Sequence, residues 1–61
     1  MKTEKILLGK FLGNEFRAIV YQNSQNKKAR HVIDFAEETF MEVLCYLETT
    51  FSFPKEKIEC V

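Results

Sequence analysis

Ile6-Leu7-Leu8-Gly9-Lys10-Phe11-Leu12 and Phe16-Arg17-Ala18-Ile19-Val20-Tyr21, the two runs either side of Gly13-Asn14, decide the fold. Both are rich in aliphatic, β-branched and aromatic residues, and Gly13-Asn14 suits a two-residue type II′ hairpin turn, whose first position favours glycine. Such a turn sets Leu12 opposite Glu15, Phe11 opposite Phe16, Gly9 opposite Ala18 and Leu7 opposite Val20. One face of the hairpin then carries Leu7, Gly9, Phe11, Phe16, Ala18 and Val20. Two aromatics at one end, two aliphatics at the other and a small pair between them leave a shallow groove for a helix.

Beyond Tyr21 the segment Gln22-Asn23-Ser24-Gln25-Asn26-Lys27 is polar throughout and reads as a loop. From Ala29 a period of two resumes, with Ala29, His31, Ile33 and Phe35 alternating against Arg30, Val32 and Asp34, as in a third strand. A helix follows, since Ala36, Phe40, Val43, Leu44, Leu47 and Phe51 fall within about 100° of one another on a helical wheel. Two capping boxes compete for its start, Asp34 with Glu37 and Thr39 with Glu42, which places the first turn between residues 35 and 40. Thr49, Thr50, Ser52 and Pro54 stop it near residue 50. Lys57 to Val61 read as a short last strand with Ile58 and Cys60 on one face.

The elements run β-β-β-α-β. A right-handed crossover through the helix lays the last strand parallel to the first, so the expected sheet is mostly antiparallel with order 3-2-1-4. One helix on one face makes a two-layer α+β sandwich. At 61 residues the chain is expected to form a single small domain spanning 1–61, burying about 60% of the surface its unfolded chain exposes. Six Phe and two Tyr give that core large pieces.

The layout leaves the other sheet face bare. In the expected register it displays Ile6, Leu8, Lys10 and Leu12 beside Glu15, Arg17, Ile19 and Tyr21, with Leu8 near Ile19 and Ile6 near Tyr21. Ile6, Leu8, Leu12, Ile19 and Tyr21 thus form a contiguous apolar patch, and the chain is expected to dimerise or to dock on another protein through it. If inside and outside are exchanged, Leu7, Phe11, Phe16 and Val20 become the exposed set.

Charge is segregated although it cancels. Residues 1–31 hold Lys2, Lys5, Lys10, Arg17, Lys27, Lys28 and Arg30 against Glu4 and Glu15, and residues 32–61 hold Asp34, Glu37, Glu38, Glu42, Glu48, Glu56 and Glu59 against Lys55 and Lys57. The halves carry +5 and −5, an asymmetry that points to a binding surface. On the helix, Glu38, Met41, Glu42 and Cys45 lie away from the buried stripe and make an acidic, partly apolar face for a basic partner site. The alternative partner is nucleic acid, with Lys27, Lys28, Arg30 and His31 on phosphates and sheet aromatics for stacking.

Catalysis is not expected. His31 has no acid or nucleophile beside it, and Gly9 and Gly13 form no phosphate loop. Cys45 and Cys60 lack the spacing of a zinc site and read as reduced thiols in a cytoplasmic protein, so no metal or cofactor is expected. No run approaches the roughly 20 apolar residues of a membrane span. The order of hairpin, third strand, helix and terminal strand is similar to that of small phage or mobile-element proteins that bind and inhibit a host enzyme. That resemblance, one of size and element order, implies a regulator or inhibitor that works by docking.

Overall fold

The computed structural model describes residues 1–61. Strands β1 (Lys2–Phe11), β2 (Glu15–Ser24) and β3 (Lys27–Phe35) are followed by helix α1 (Phe40–Phe51), a 3-10 turn (Lys55–Lys57) and strand β4 (Glu59–Cys60). The sheet order is β3-β2-β1-β4, with β4 parallel to β1 and the other pairs antiparallel. Both the α+β class and the order 3-2-1-4 are as the sequence predicts.

The first hairpin differs by one residue. Its loop is Leu12-Gly13-Asn14, with Phe11 paired to Glu15, so Ile6 lies opposite Val20 and Leu8 opposite Ala18. Leu12 and Gly13 both take positive φ, 48° and 66°, and the Glu15 amide donates to the Leu12 carbonyl at 3.3 Å. Because side chains alternate, a slip of one residue turns a whole strand over. Only β1 is turned over; β2 keeps the expected faces.

Ile6 and Leu8, expected on the open face, are therefore core residues at 0% and 1% exposure. Leu7 and Phe11 take their place outside, while Phe16 and Val20 stay buried. Simple exchange of inside and outside is thus also incorrect. The helical stripe therefore packs on Ile6 and Leu8, with Phe16 and Val20, and not on Leu7 and Phe11. The helix buries Val43 and Leu47 in a core with Ile6, Leu8, Phe16, Ala18, Val20, Phe35, Phe53 and Ile58, and Leu44 and Phe51 pack at its edge. Phe40 lies at the margin, its ring centroid 5.8 Å from that of Phe16.

The polar segment after Tyr21 is a hairpin and not a loop. β2 runs on to Ser24, and Gln25-Asn26 turn the chain with φ of 51° and 67°, the paired positive values of a type I′ turn. Solvated strand ends do not need apolar side chains, and here polar ones bond across the strands. Gln22 Nε2 donates to Thr3 Oγ1 at 3.1 Å, Asn23 Nδ2 donates to Glu4 Oε2 at 3.3 Å, and His31 Nε2 lies 2.9 Å from Gln22 Oε1. A β-bulge between Thr3 and Lys5 lets Thr3 Oγ1 donate to the Phe51 carbonyl at 3.3 Å, fastening the start of β1 to the end of α1.

Of the two candidate capping boxes, Thr39 with Glu42 is the one formed. The Glu42 amide donates to Thr39 Oγ1 at 3.2 Å and the Thr39 amide to Glu42 Oε1 at 2.7 Å. Ala36 precedes the helix and is exposed, so it leaves the expected stripe. Ser52 ends α1 in the left-handed region at φ 51°. Glu48 Oε2 then accepts from the Lys55 amide at 3.0 Å, which holds the 3-10 turn and delivers Ile58 to the core.

Candidate interaction surface

The helix covers one face of the sheet, and the other face is open. Its pattern follows from the register. The central row is Val32–Ile19–Leu7 across β3, β2 and β1, ending at Glu59 on β4. On one side of it lies the row Arg30–Tyr21–Lys5, and on the other Asp34–Arg17–Gly9, followed by Glu15–Phe11. The apolar row is thus bordered by cations at the end nearer the β2–β3 turn and, at the other, by the Asp34–Arg17 ion pair with Glu15 beyond it.

Val32 is 52% exposed, whereas Leu7 and Ile19 in the middle of the sheet are half-buried by their neighbours. Gly9 contributes no side chain, which leaves a depression of about 210 Å³ between Leu7, Phe11, Ile19, Arg17, Lys10 and Val61. A Cβ on Gly9 would come within 2.9 Å of Val61 Cγ2, so the depression is bounded by that side chain.

Arg17 organises the acidic end. Its Nε donates to Asp34 Oδ1 at 2.7 Å and its Nη2 to Asp34 Oδ2 at 3.2 Å, while Cζ stands 3.7 Å from the centroid of the Phe11 ring. Hydrogen bonding to Arg17 holds the Asp34 carboxyl below its ordinary range, and the same bond raises Arg17.

Of the residues expected on this surface, Ile19 and Tyr21 are present, Ile6 and Leu8 are in the core, and Leu12 sits in the β1–β2 turn at 75% exposure. Leu7 and Phe11, expected outside only if the two faces are exchanged, lie on it, and Val32 is a further member that was not expected. The signal for Val32 was present in the sequence, because it alternates with Ile33 on the same strand as Arg30 and Asp34. The basic cluster divides: Lys28 and Arg30 pair with Asn23 and Tyr21 on the open face, whereas Lys27 and His31 pair with Ser24 and Val20 and point to the helix side. All four are exposed strand residues.

On the helix side Met41 and Cys45 are exposed, as are Glu38 and Glu42. Their carboxylates bind the chain's own backbone, however. Glu38 Oε2 accepts from the Glu37 amide at 3.0 Å, and Glu42 serves the cap, whose bonds from Thr39 lower its pKa. Cys45 and Cys60 are both free and exposed. No group of three His, Cys, Asp or Glu side chains converges.

No family model, curated protein or solved structure matches the chain. No helix is long and apolar enough to cross a membrane.

Proposed function

We propose that this chain is a small non-catalytic protein-interaction module, in a reducing cytoplasm, that docks on another protein as a regulator or inhibitor or self-associates through the open face of its sheet. The observation that carries the reading is the uncovered row Val32–Ile19–Leu7, three aliphatic side chains abreast with Phe11 and Tyr21 beside them. Contiguous apolar surface rimmed by charge favours a protein partner, because removing it from water is favourable and the rim fixes orientation. The acidic helix surface is the weaker docking candidate, since Glu42 and Glu48 are engaged in backbone bonds that hold α1 and the 3-10 turn.

A second reading has its own support. Lys5, Lys28 and Arg30 surround Tyr21, and cations about an aromatic ring suit phosphate contact with base stacking. Glu4 at the same place, and Glu15, Asp34 and Glu59 elsewhere on the face, oppose a nucleic-acid backbone.

Capture from a native lysate, with nuclease-treated and untreated samples compared, separates the readings. Wild type and Met41→Lys, a control on the opposite side, should retain the same protein species, and Val32→Lys should lose it. Recovery of nucleic acid in its place, lost with Lys28→Ala and Arg30→Ala but kept with Val32→Lys, would overturn the proposal in favour of the second reading.

A further inference from the structure

We propose that the open sheet face pairs with the same face of a second copy, about a two-fold axis that runs across the strands through the Val32–Ile19–Leu7 row. The proposal rests on the open-face reading above and names its partner. Two sheets stacked face to face with strands nearly aligned have two simple two-fold arrangements. With the axis along the strands, each row meets its equivalent, and the cationic row Arg30–Tyr21–Lys5 would lie on the same cationic row of the other copy. With the axis across the strands, the sheet ends exchange. Arg30 of one copy then faces Asp34 of the other, Tyr21 faces Arg17, and the central aliphatic rows lie on one another.

The charge order along the face is therefore self-complementary under one operation and self-repelling under the other. Asp34 can accept the second cation, because a carboxylate has about four lone-pair sites and Arg17 uses two. Tyr21 offers a ring face to the guanidinium of Arg17, the contact that Phe11 already makes within the chain. Lys5 of one copy comes over the depression that Gly9 leaves in the other, where its methylene stem covers apolar surface. Two like-charged approaches remain: Glu59 meets Glu59 at the solvated edge beyond β1, where screening is strong, and Arg17 lies between Arg30 and Lys5 of the other copy, where its bound Asp34 offsets them.

The face spans about 37 × 19 Å, roughly 700 Å² in projection, which is at the small end of specific interfaces. An interface at the small end of the specific range belongs with weak, reversible associations, so dimerisation is expected to depend on concentration.

The test is sedimentation equilibrium on the whole chain, with folding checked by circular dichroism. Wild type should dimerise reversibly with concentration, and Val32→Lys should remain monomeric. Arg30→Asp alone sets a carboxylate against that of Asp34 twice in its homodimer, and Asp34→Arg alone sets two guanidinium groups together twice, so each should weaken dimerisation at least tenfold. Mixed in equal amounts, the two variants form a heterodimer in which every such pair is opposite in charge, and association should recover to near the wild-type level. A wild type that stays monomeric up to millimolar concentration overturns the second copy as partner and leaves the open face to the capture experiment. A dimer abolished by Val32→Lys but not recovered on mixing overturns the axis and keeps the face. A dimer indifferent to Val32→Lys overturns both.

Discussion

The two faces of the sheet are built from the same kinds of side chain, yet they end in different environments. Ile6, Leu8, Ala18 and Val20 on one face are excluded from water by Val43 and Leu47, while Leu7, Ile19 and Val32 on the other meet no second layer within the chain. Neighbours in sequence, Leu7 and Leu8, differ only in the direction they point. Composition therefore does not distinguish a core face from a partner face; the register does, and the helix shows which of the two the chain covers for itself.

The sharpest way to probe the comparison is to truncate one residue on each side. Leu47→Ala, in the centre of the covered face, should cost about 2–5 kcal/mol, a large share of what so small a chain has, and much of the population should be unfolded in a thermal melt. Leu7→Ala on the open face should cost less than about 1 kcal/mol in dilute, monomeric protein. Equal losses would mean that the two faces are equally buried.

The next effect tests the helix that makes the difference. Thr39→Ala removes the cap acceptor for the Glu42 amide and should cost about 1 kcal/mol in urea unfolding, with the slope unchanged. No change would mean that the other box, Asp34 with Glu37, starts the helix in solution.

The turn that sets the register has the opposite sign. Leu12 holds a left-handed conformation in which Cβ crowds the following carbonyl and which Asn tolerates by local hydrogen bonding, so Leu12→Asn should stabilise by on the order of 1 kcal/mol. A loss of stability would indicate the two-residue turn and the slipped register.

The smallest effect is acid sensitivity. Arg17 lowers the pKa of Asp34, and the cap lowers that of Glu42, below their unfolded values. The unfolded chain then takes up protons first, so this contribution is present above the ordinary carboxylate range and is lost as pH falls through the lowered values. Both groups are exposed, so screening keeps the effect small. Melting temperature should fall below about pH 4.5, less so in Asp34→Asn, and an unchanged slope in that variant would remove the ion pair from the account.

Element order, the third strand, the helical stripe and the parallel last strand were legible because each has a clear period or stop signal. The phase of β1 was not, for a physical reason: Ile6-Leu7-Leu8 is aliphatic at three successive positions, so alternation has no sign there, and the turn had to supply it. The turn takes one more residue than Gly13-Asn14 suggests because Leu12 accepts a positive φ that nothing in its side chain favours. Phe53 follows the end of the helix and shares no period with it, which hid its place in the core. The polar stretch from Gln22 to Lys27 concealed a hairpin because its strand residues Gln22 and Asn23 make side-chain hydrogen bonds to Thr3, Glu4 and His31 on the neighbouring strands in place of apolar contact. For the interaction surface, two of the five expected residues, Ile6 and Leu8, moved with β1 into the core, and the charge order along the face emerged only once three strands were in register.

The most direct test of the account compares Leu7→Lys with Leu8→Lys by circular dichroism and thermal unfolding at concentrations where the chain is monomeric. Burying an unpaired ammonium among Ala18, Val43 and Leu47 is far costlier than leaving it in water beside Ile19. Leu8→Lys should be unfolded at room temperature, while Leu7→Lys should keep the wild-type spectrum and melt within a few degrees of wild type. An unfolded Leu7→Lys with a folded Leu8→Lys would contradict this, returning β1 to the register in which Leu7 faces the helix.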